Sequence, residues 1–271
     1  MLKQRLITAA ILIPLVVWGI LSLSVPAFAV ILAAVILGGA WEWSRLAGIH
    51  APVMRAGYVV LIAVAILLLW RLPPWSAASL LPVLIAVLLW WCLAVITVTR
   101  YSADTRYGAA HRFLAGLWIL LPSWAALTAL QHPDVAGPKH VLFLLTLIWI
   151  ADTSAYFAGR RFGKRKLAPH VSPGKTVEGF IGAVLGSLAW SVVGVYWLAP
   201  EHTAWFVLLC LITMCASVLG DLVESMYKRH AGLKDSGQLL PGHGGILDRI
   251  DSLTSAAPIY TLGVILMERS L

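Results

Sequence analysis

Nine of the chain's 12 acidic residues fall after Trp149, and seven of them, Asp152, Glu178, Asp221, Glu224, Asp235, Asp248 and Asp251, lie in the loops or adjoining helix ends on one side of the last long apolar runs. A carboxylate at the centre of a membrane helix costs about 2.5 to 3.5 kcal/mol on insertion scales, so several gathered near membrane depth need a compensating partner. A cation is the obvious one. The densest stretch is SMYKRHAGLKDSGQLLPGHGGILDRIDS, Ser225 to Ser252. Asp248 and Asp251 are three apart, which puts both carboxylates on one helical face, and Asp221 precedes the same loop from the other helix. Three carboxylates can thus converge on one hard cation. Oxygen ligands within a basic surround fit Mg²⁺, with a second cation left open. Gly244 and Gly245 let backbone N–H groups approach an anion at a helix N-terminus, and Lys228, Arg229, Lys234 and Arg249 could neutralise a polyphosphate. Each piece alone has a plainer account. Loop lysines and arginines set membrane topology, His243 can cap a tight turn, and Asp248 and Asp251 suit a helix start beside Arg249. Their conjunction within 31 residues, Asp221 to Asp251, favours a site.

The elements that must position these residues are membrane helices. Of 271 residues, 60% are apolar or aromatic and 12% charged, about half the charge of a soluble chain, and mean hydropathy is +0.87. Apolar segments long enough to span a bilayer run approximately Leu6 to Leu23, Ala27 to Trp43, Gly57 to Trp70, Leu80 to Val98, Phe113 to Leu130, Val141 to Phe157, Val177 to Leu198, Ala204 to Leu222, and Leu253 to Met267. The expected fold is therefore an all-α polytopic membrane protein of about nine helices. Gly57 to Trp70 is the weakest span unless Met54 to Leu72 is drawn in. With nine spans and the N-terminus inside, 17 of the 20 Lys and Arg residues fall on the cytosolic face and only Arg71, Lys139 and Arg269 outside. That bias places the C-terminus outside and keeps the third span. A basic face beside a bilayer suggests anionic lipid or phosphorylated substrates rather than nucleic acid. The first apolar run, about 18 residues, exceeds a secretory h-region, so uncleaved insertion is the better reading. Cys92, Cys210 and Cys215 lie inside apolar runs without metal-like spacing.

Residues 1–140 look like a transmembrane scaffold, in which Glu42 is most simply an interfacial residue pairing with Arg45. Residues 141–271 hold the catalytic loops, the two parts forming one integrated membrane domain. Gly182 and Gly186 form a G-x-x-x-G stripe that packs either a homodimer or neighbouring helices of one chain.

Asp221 through Asp251 closely resembles the signature of the phosphatidate cytidylyltransferases, or CDP-diacylglycerol synthases: S-x-x-K-R, four residues, K-D-x-G, then P-x-H-G-G-x-x-D-R-x-D. The matching residues are Ser225, Lys228, Arg229, Lys234, Asp235, Gly237, Pro241, His243, Gly244, Gly245, Asp248, Arg249 and Asp251. Tyr227 stands where the family usually has an apolar residue such as Phe. The resemblance extends to Asp152-Thr153-Ser154-Ala155-Tyr156 and to Ser172 through Gly179, similar to the family's D-T-x-A-Y and S-P-x-K-T-x-E-G segments. Gly174-Lys175-Thr176 is not the end of a P-loop, because Pro169 stands where that motif needs Gly.

What the resemblance implies is reaction of phosphatidic acid with CTP to give CDP-diacylglycerol and pyrophosphate, at the cytosolic face of a bacterial-type inner membrane. It implies Asp221, Asp248 and Asp251 as ligands of Mg²⁺. Lys228, Arg229, Lys234, His243 and Arg249 become catalytic phosphate-binding groups, and Asp152, Ser172, Lys175, Thr176, Ser225, Asp235, Gly244 and Gly245 contact substrate. Glu224, one turn beyond Asp221, is not required as a ligand. A CDP-alcohol phosphotransferase is excluded by the lack of any Asp-Gly pair. A transporter is disfavoured because the charges crowd the ends of one half and no repeat is visible.

Overall fold

The computed structural model describes residues 2–71, 77–102, 104–237 and 244–269. Among these the chain forms nine α-helices: α1 (Leu2–Ser22), α2 (Val25–Leu46), α3 (Pro52–Arg71), α4 (Ala77–Thr99), α5 (Ala109–Gln131), α6 (Pro138–Phe162), α7 (Val177–Leu198), α8 (Thr203–His230) and α9 (Leu247–Arg269). Eight of them, α2 to α9, are long and apolar enough to cross a membrane. The segment that looked short is a full 20-residue α3, because its helix draws in the residues from Pro52 to Arg71. Leu67, Leu68, Leu89, Leu93 and Leu185 face outward, each more than 60% exposed. An apolar belt of that kind belongs against lipid.

The two strands, β1 (Lys166–Ala168) and β2 (Ser172–Thr176), pair antiparallel with Lys166 opposite Thr176 and Ala168 opposite Ser172. This small ribbon leaves the fold all-α in its spans, and it forms in the connection between α6 and α7, where the backbone must satisfy its own polar groups. It is fixed onto α7 at its base. Thr176 Oγ1 caps that helix by accepting the Gly179 N–H at 3.0 Å. Glu178 accepts the backbone N–H groups of Lys164 and Arg165 at 3.0 and 3.2 Å.

Helices α6 and α7 cross closely because glycine removes side chain at the contact. A Cβ on Gly182 would strike Ala158 Cβ and the Ser154 carbonyl, and one on Gly186 would strike the Ser154 side chain. The G-x-x-x-G stripe is thus occupied by α6 of the same chain. Gly220 does the same for α8 and α9, where a Cβ would meet Ser255 Oγ and the Asp251 carbonyl. Its neighbour Asp221 is thereby brought beside Asp251. The main core joins both parts of the chain, since Trp43, Tyr58, Trp91 and Trp124 cluster with Val223, Tyr227 and Leu247.

Candidate active site

Alternating helices bring the connections α2–α3, α4–α5, α6–α7 and α8–α9 to one end of the bundle, where helix ends and connections meet. Tyr227 Oη lies 3.4 Å from His111 Nδ1, and Arg229 Nε donates to the Val171 carbonyl at 3.3 Å. Helix α8 runs eight residues past the apolar segment Ala204 to Leu222. Its last turns carry Asp221, Glu224, Ser225 and Lys228 inward against α9.

Two polar groups form there. The first faces a cavity of about 460 Å³ whose walls include Asp152 on α6, Lys175 and Thr176 on β2, and Asp221 on α8. Lys175 Nζ stands 2.7 Å from Asp221 Oδ2, and Ser225 Oγ donates to Asp221 Oδ1 at 3.2 Å. Leu167, Phe180, Ala183 and Val218 line the same cavity, so its lining combines charged and apolar side chains.

The second group is more deeply buried. Lys228 Nζ lies 2.6 Å from Asp248 Oδ1 and 3.0 Å from Glu224 Oε1. The approach to Glu224 is an ion pair without hydrogen-bond alignment, and neither Glu224 oxygen has a hydrogen-bond partner. Asp248 also accepts backbone N–H groups from Gly245 at 2.9 Å and Ser236 at 3.0 Å. A carboxylate so placed, at the first turn of α9, satisfies donors that the helix itself leaves unpaired. Asp251, one turn further on, is within electrostatic reach of Asp221, Lys228, Lys175 and Glu224. It joins the two groups.

The expected convergence of Asp221, Asp248 and Asp251 on a single point is not formed. Among the described residues no three His, Cys, Asp or Glu side chains gather tightly enough to hold a metal ion, because Asp248 is turned onto Lys228 and the Gly245 backbone. Both hydrogen bonds of Arg229 go to backbone carbonyls, Val171 and Leu233. Lys234, Asp235 and Arg249 are exposed, and Ser172 sits at the turn end of the ribbon. Gly244 adopts φ +82°, a left-handed conformation that favours glycine, directly beside Asp248. His243 falls outside the described residues.

Three participants are not evident from the motif. Glu42 does not pair with Arg45. Its carboxylate turns inward to accept Ser236 Oγ at 2.9 Å and the backbone N–H groups of Ile246 and Leu247 at 3.1 and 2.8 Å. Glu42 is the sole acidic residue among the first 103, a signal that its charge answers to something distant. Glu224 is the second, and its i,i+4 relation to Lys228 was visible in the sequence. Ser236 is the third.

A polytopic helical bundle with lysines and carboxylates at the helix ends of one face matches one family model over residues 3–267, described as the cytidylyltransferase family. The chain belongs to that family, and is a nucleotidyltransferase. It is 44% identical over 264 residues to the phosphatidate cytidylyltransferase of Pseudomonas aeruginosa, with 96% of each chain covered. It is 39% identical to the phosphatidate cytidylyltransferase of Haemophilus influenzae, covering 96% of this chain and 98% of that one. A protein of the same name from Brucella abortus is 35% identical over 98% of this chain.

Proposed function

We propose that this chain joins CTP to phosphatidic acid, forming CDP-diacylglycerol and releasing pyrophosphate. The observation that carries this reading is the cavity lined both by Lys175, Asp221 and Asp152 and by Phe180, Ala183 and Val218. A lipid phosphate can enter it while its acyl chains stay in hydrocarbon, since each CH₂ withdrawn into water would cost about 0.8 kcal/mol.

An oxygen of the lipid phosphate attacks the α-phosphorus of CTP, a new P–O bond forms, and the bond to the β-phosphate oxygen breaks with pyrophosphate taking the electron pair. The attacking oxygen is already anionic near neutral pH, so no strong protein base is needed. The chain's task is to hold two polyanions in line. In this reading Lys175 and Lys228 offset phosphate charge, aided by Arg249, Lys234, Arg229 and His243. Thr176, Ser225, Asp235 and the Gly244–Gly245 backbone orient substrate.

The donor set suits a hard divalent cation. Asp152, Asp221, Glu224, Asp248 and Asp251 supply carboxylate oxygens in one region, and Glu224 Oε2 is buried without a hydrogen-bond partner. In this reading Asp221, Asp248 and Asp251 would hold Mg²⁺ once Asp248 left Lys228, and the ion would supply charge neutralisation at the transferring phosphates. The basic end of the bundle faces the cytosol of a bacterial inner membrane, following the 17 to 3 charge split. Residues 1–140 serve as scaffold, Glu42 excepted, and 141–271 carry the chemistry. Because α6 covers the G-x-x-x-G stripe, a homodimer would form through another surface.

Purified protein in detergent, given phosphatidic acid, Mg²⁺ and each nucleoside triphosphate in turn, should release pyrophosphate with CTP far faster than with ATP, GTP or UTP. A chelator should abolish it. Equal rates with all four nucleotides, or turnover without lipid, would overturn the assignment.

A further inference from the structure

We infer that Glu42 is a positioning residue for the active site, acting from the N-terminal half of the chain through the first turn of α9. This rests on the reaction proposed above. Its side chain is 2% exposed, and its three donors lie 194 to 205 residues away in sequence. Two of them, the N–H groups of Ile246 and Leu247, are donors that the start of α9 leaves without helical partners. A carboxylate at that position also opposes the positive end of the helix dipole. Glu42 is therefore a cap for α9 supplied by another helix.

The arrangement couples Glu42 to the reacting region through shared donors. Ser236 gives its hydroxyl to Glu42 and its backbone N–H to Asp248. Gly245 gives its N–H to Asp248, while Ile246 and Leu247, next in the chain, give theirs to Glu42. The two carboxylates thus bind the same pair of short segments. A Cβ at either Gly237 or Gly245 would collide with the Glu42 carboxylate, so both backbones lie directly on it. Asp248 and Asp251 ride on the helix turn so fixed, and Lys228 follows Asp248 at 2.6 Å. Displacing the turn moves all three groups without altering any of them.

A purely structural cap would lower the amount of folded protein and leave its turnover intact. A positioning residue changes turnover per folded molecule. The test compares Glu42→Gln, Glu42→Asp and Ser236→Ala, per folded molecule, with the control Gln131→Leu, which removes an amide that donates to the Ile20 carbonyl far from the site. In folded protein, Glu42→Gln should cut kcat at least tenfold with the KM for CTP within threefold of wild type. It should also raise, at least threefold, the Mg²⁺ concentration that gives half the metal-induced thermal shift, read without substrate. Glu42→Asp keeps the charge and should recover part of kcat, and Ser236→Ala should fall between the Gln variant and wild type. Should Glu42→Gln fail to fold, Glu42→Asp and Ser236→Ala carry the same comparison. A kcat for these variants equal to that of Gln131→Leu overturns the inference. An inactive wild type would instead overturn the reaction on which it rests.

Discussion

Lys175 on β2 and Asp221 on α8 meet at 2.7 Å, one of the contacts that tie the ribbon to the helix bundle. Their side chains are 26% and 29% exposed, and a pair that wet contributes only about 0.2 to 1 kcal/mol to stability. Structure alone therefore gives little reason for Lys175. Lys175→Met should leave the melting midpoint within a few degrees of wild type while lowering kcat/KM at least tenfold, measured by pyrophosphate release. Unchanged turnover would return the residue to the role of a topology determinant.

The crossing of α6 and α7 yields a second expectation. Gly182→Val places methyl groups against Ala158 and the Ser154 carbonyl, and overpacking of this kind costs about 1 to 3 kcal/mol. The variant should melt lower and express less, with the protein mass in detergent, measured by light scattering, the same as wild type. A stable variant with altered mass would show that the stripe serves an interface between chains.

The helices were legible because each apolar run is long and bounded by charge or, between the first two, by Ser24 and Pro26, so length against bilayer thickness decides them. Their ends were not. Helix α9 begins at Leu247, six residues before the apolar segment Leu253 to Met267, because Asp248 and Glu42 supply the caps that hydropathy does not register. The cavity wall was legible too, since Lys175, Asp221 and Asp152 all lie within recognisable motifs. Glu42 was not, as no local period links it to donors in the last 40 residues of the chain. Asp248 was readable as a residue but not as the partner of Lys228. The spacing of three that aligns it with Asp251 says nothing about a lysine on the preceding helix.

Sidedness follows from charge and has its own test. Gly174 lies in the ribbon with nothing within 4 Å of the point a Cβ would occupy, and Glu201 is exposed in the connection before α8 at the other end. In a background without Cys92, Cys210 and Cys215, a membrane-impermeant maleimide added to intact spheroplasts should label Glu201→Cys and spare Gly174→Cys. Permeabilised cells should label both. The reverse pattern would invert the proposed orientation, and labelling of both in intact cells would break the nine-span alternation.

Lys228 gives the sharpest case, because its surroundings separate stability from chemistry. Its ammonium is the shared counter-ion of Glu224 and Asp248, and the three side chains are 9%, 3% and 11% exposed. Lys228→Met keeps most of the apolar stem but leaves two carboxylates in a dry site, a defect of about 3 to 5 kcal/mol. It should abolish turnover and lower the melting midpoint sharply. Glu224→Gln removes one of those charges and is not a silent change, since it also unbalances Lys228 against Asp248. The double variant Lys228→Met with Glu224→Gln should melt higher than Lys228→Met alone, with a coupling of about 0.5 to 3 kcal/mol, yet remain inactive. Additive effects on stability would mean that the lysine and Glu224 do not interact in the folded protein. Recovery of turnover in the double variant would remove Lys228 from the phosphate-binding groups and leave it only the role of a buried counter-ion.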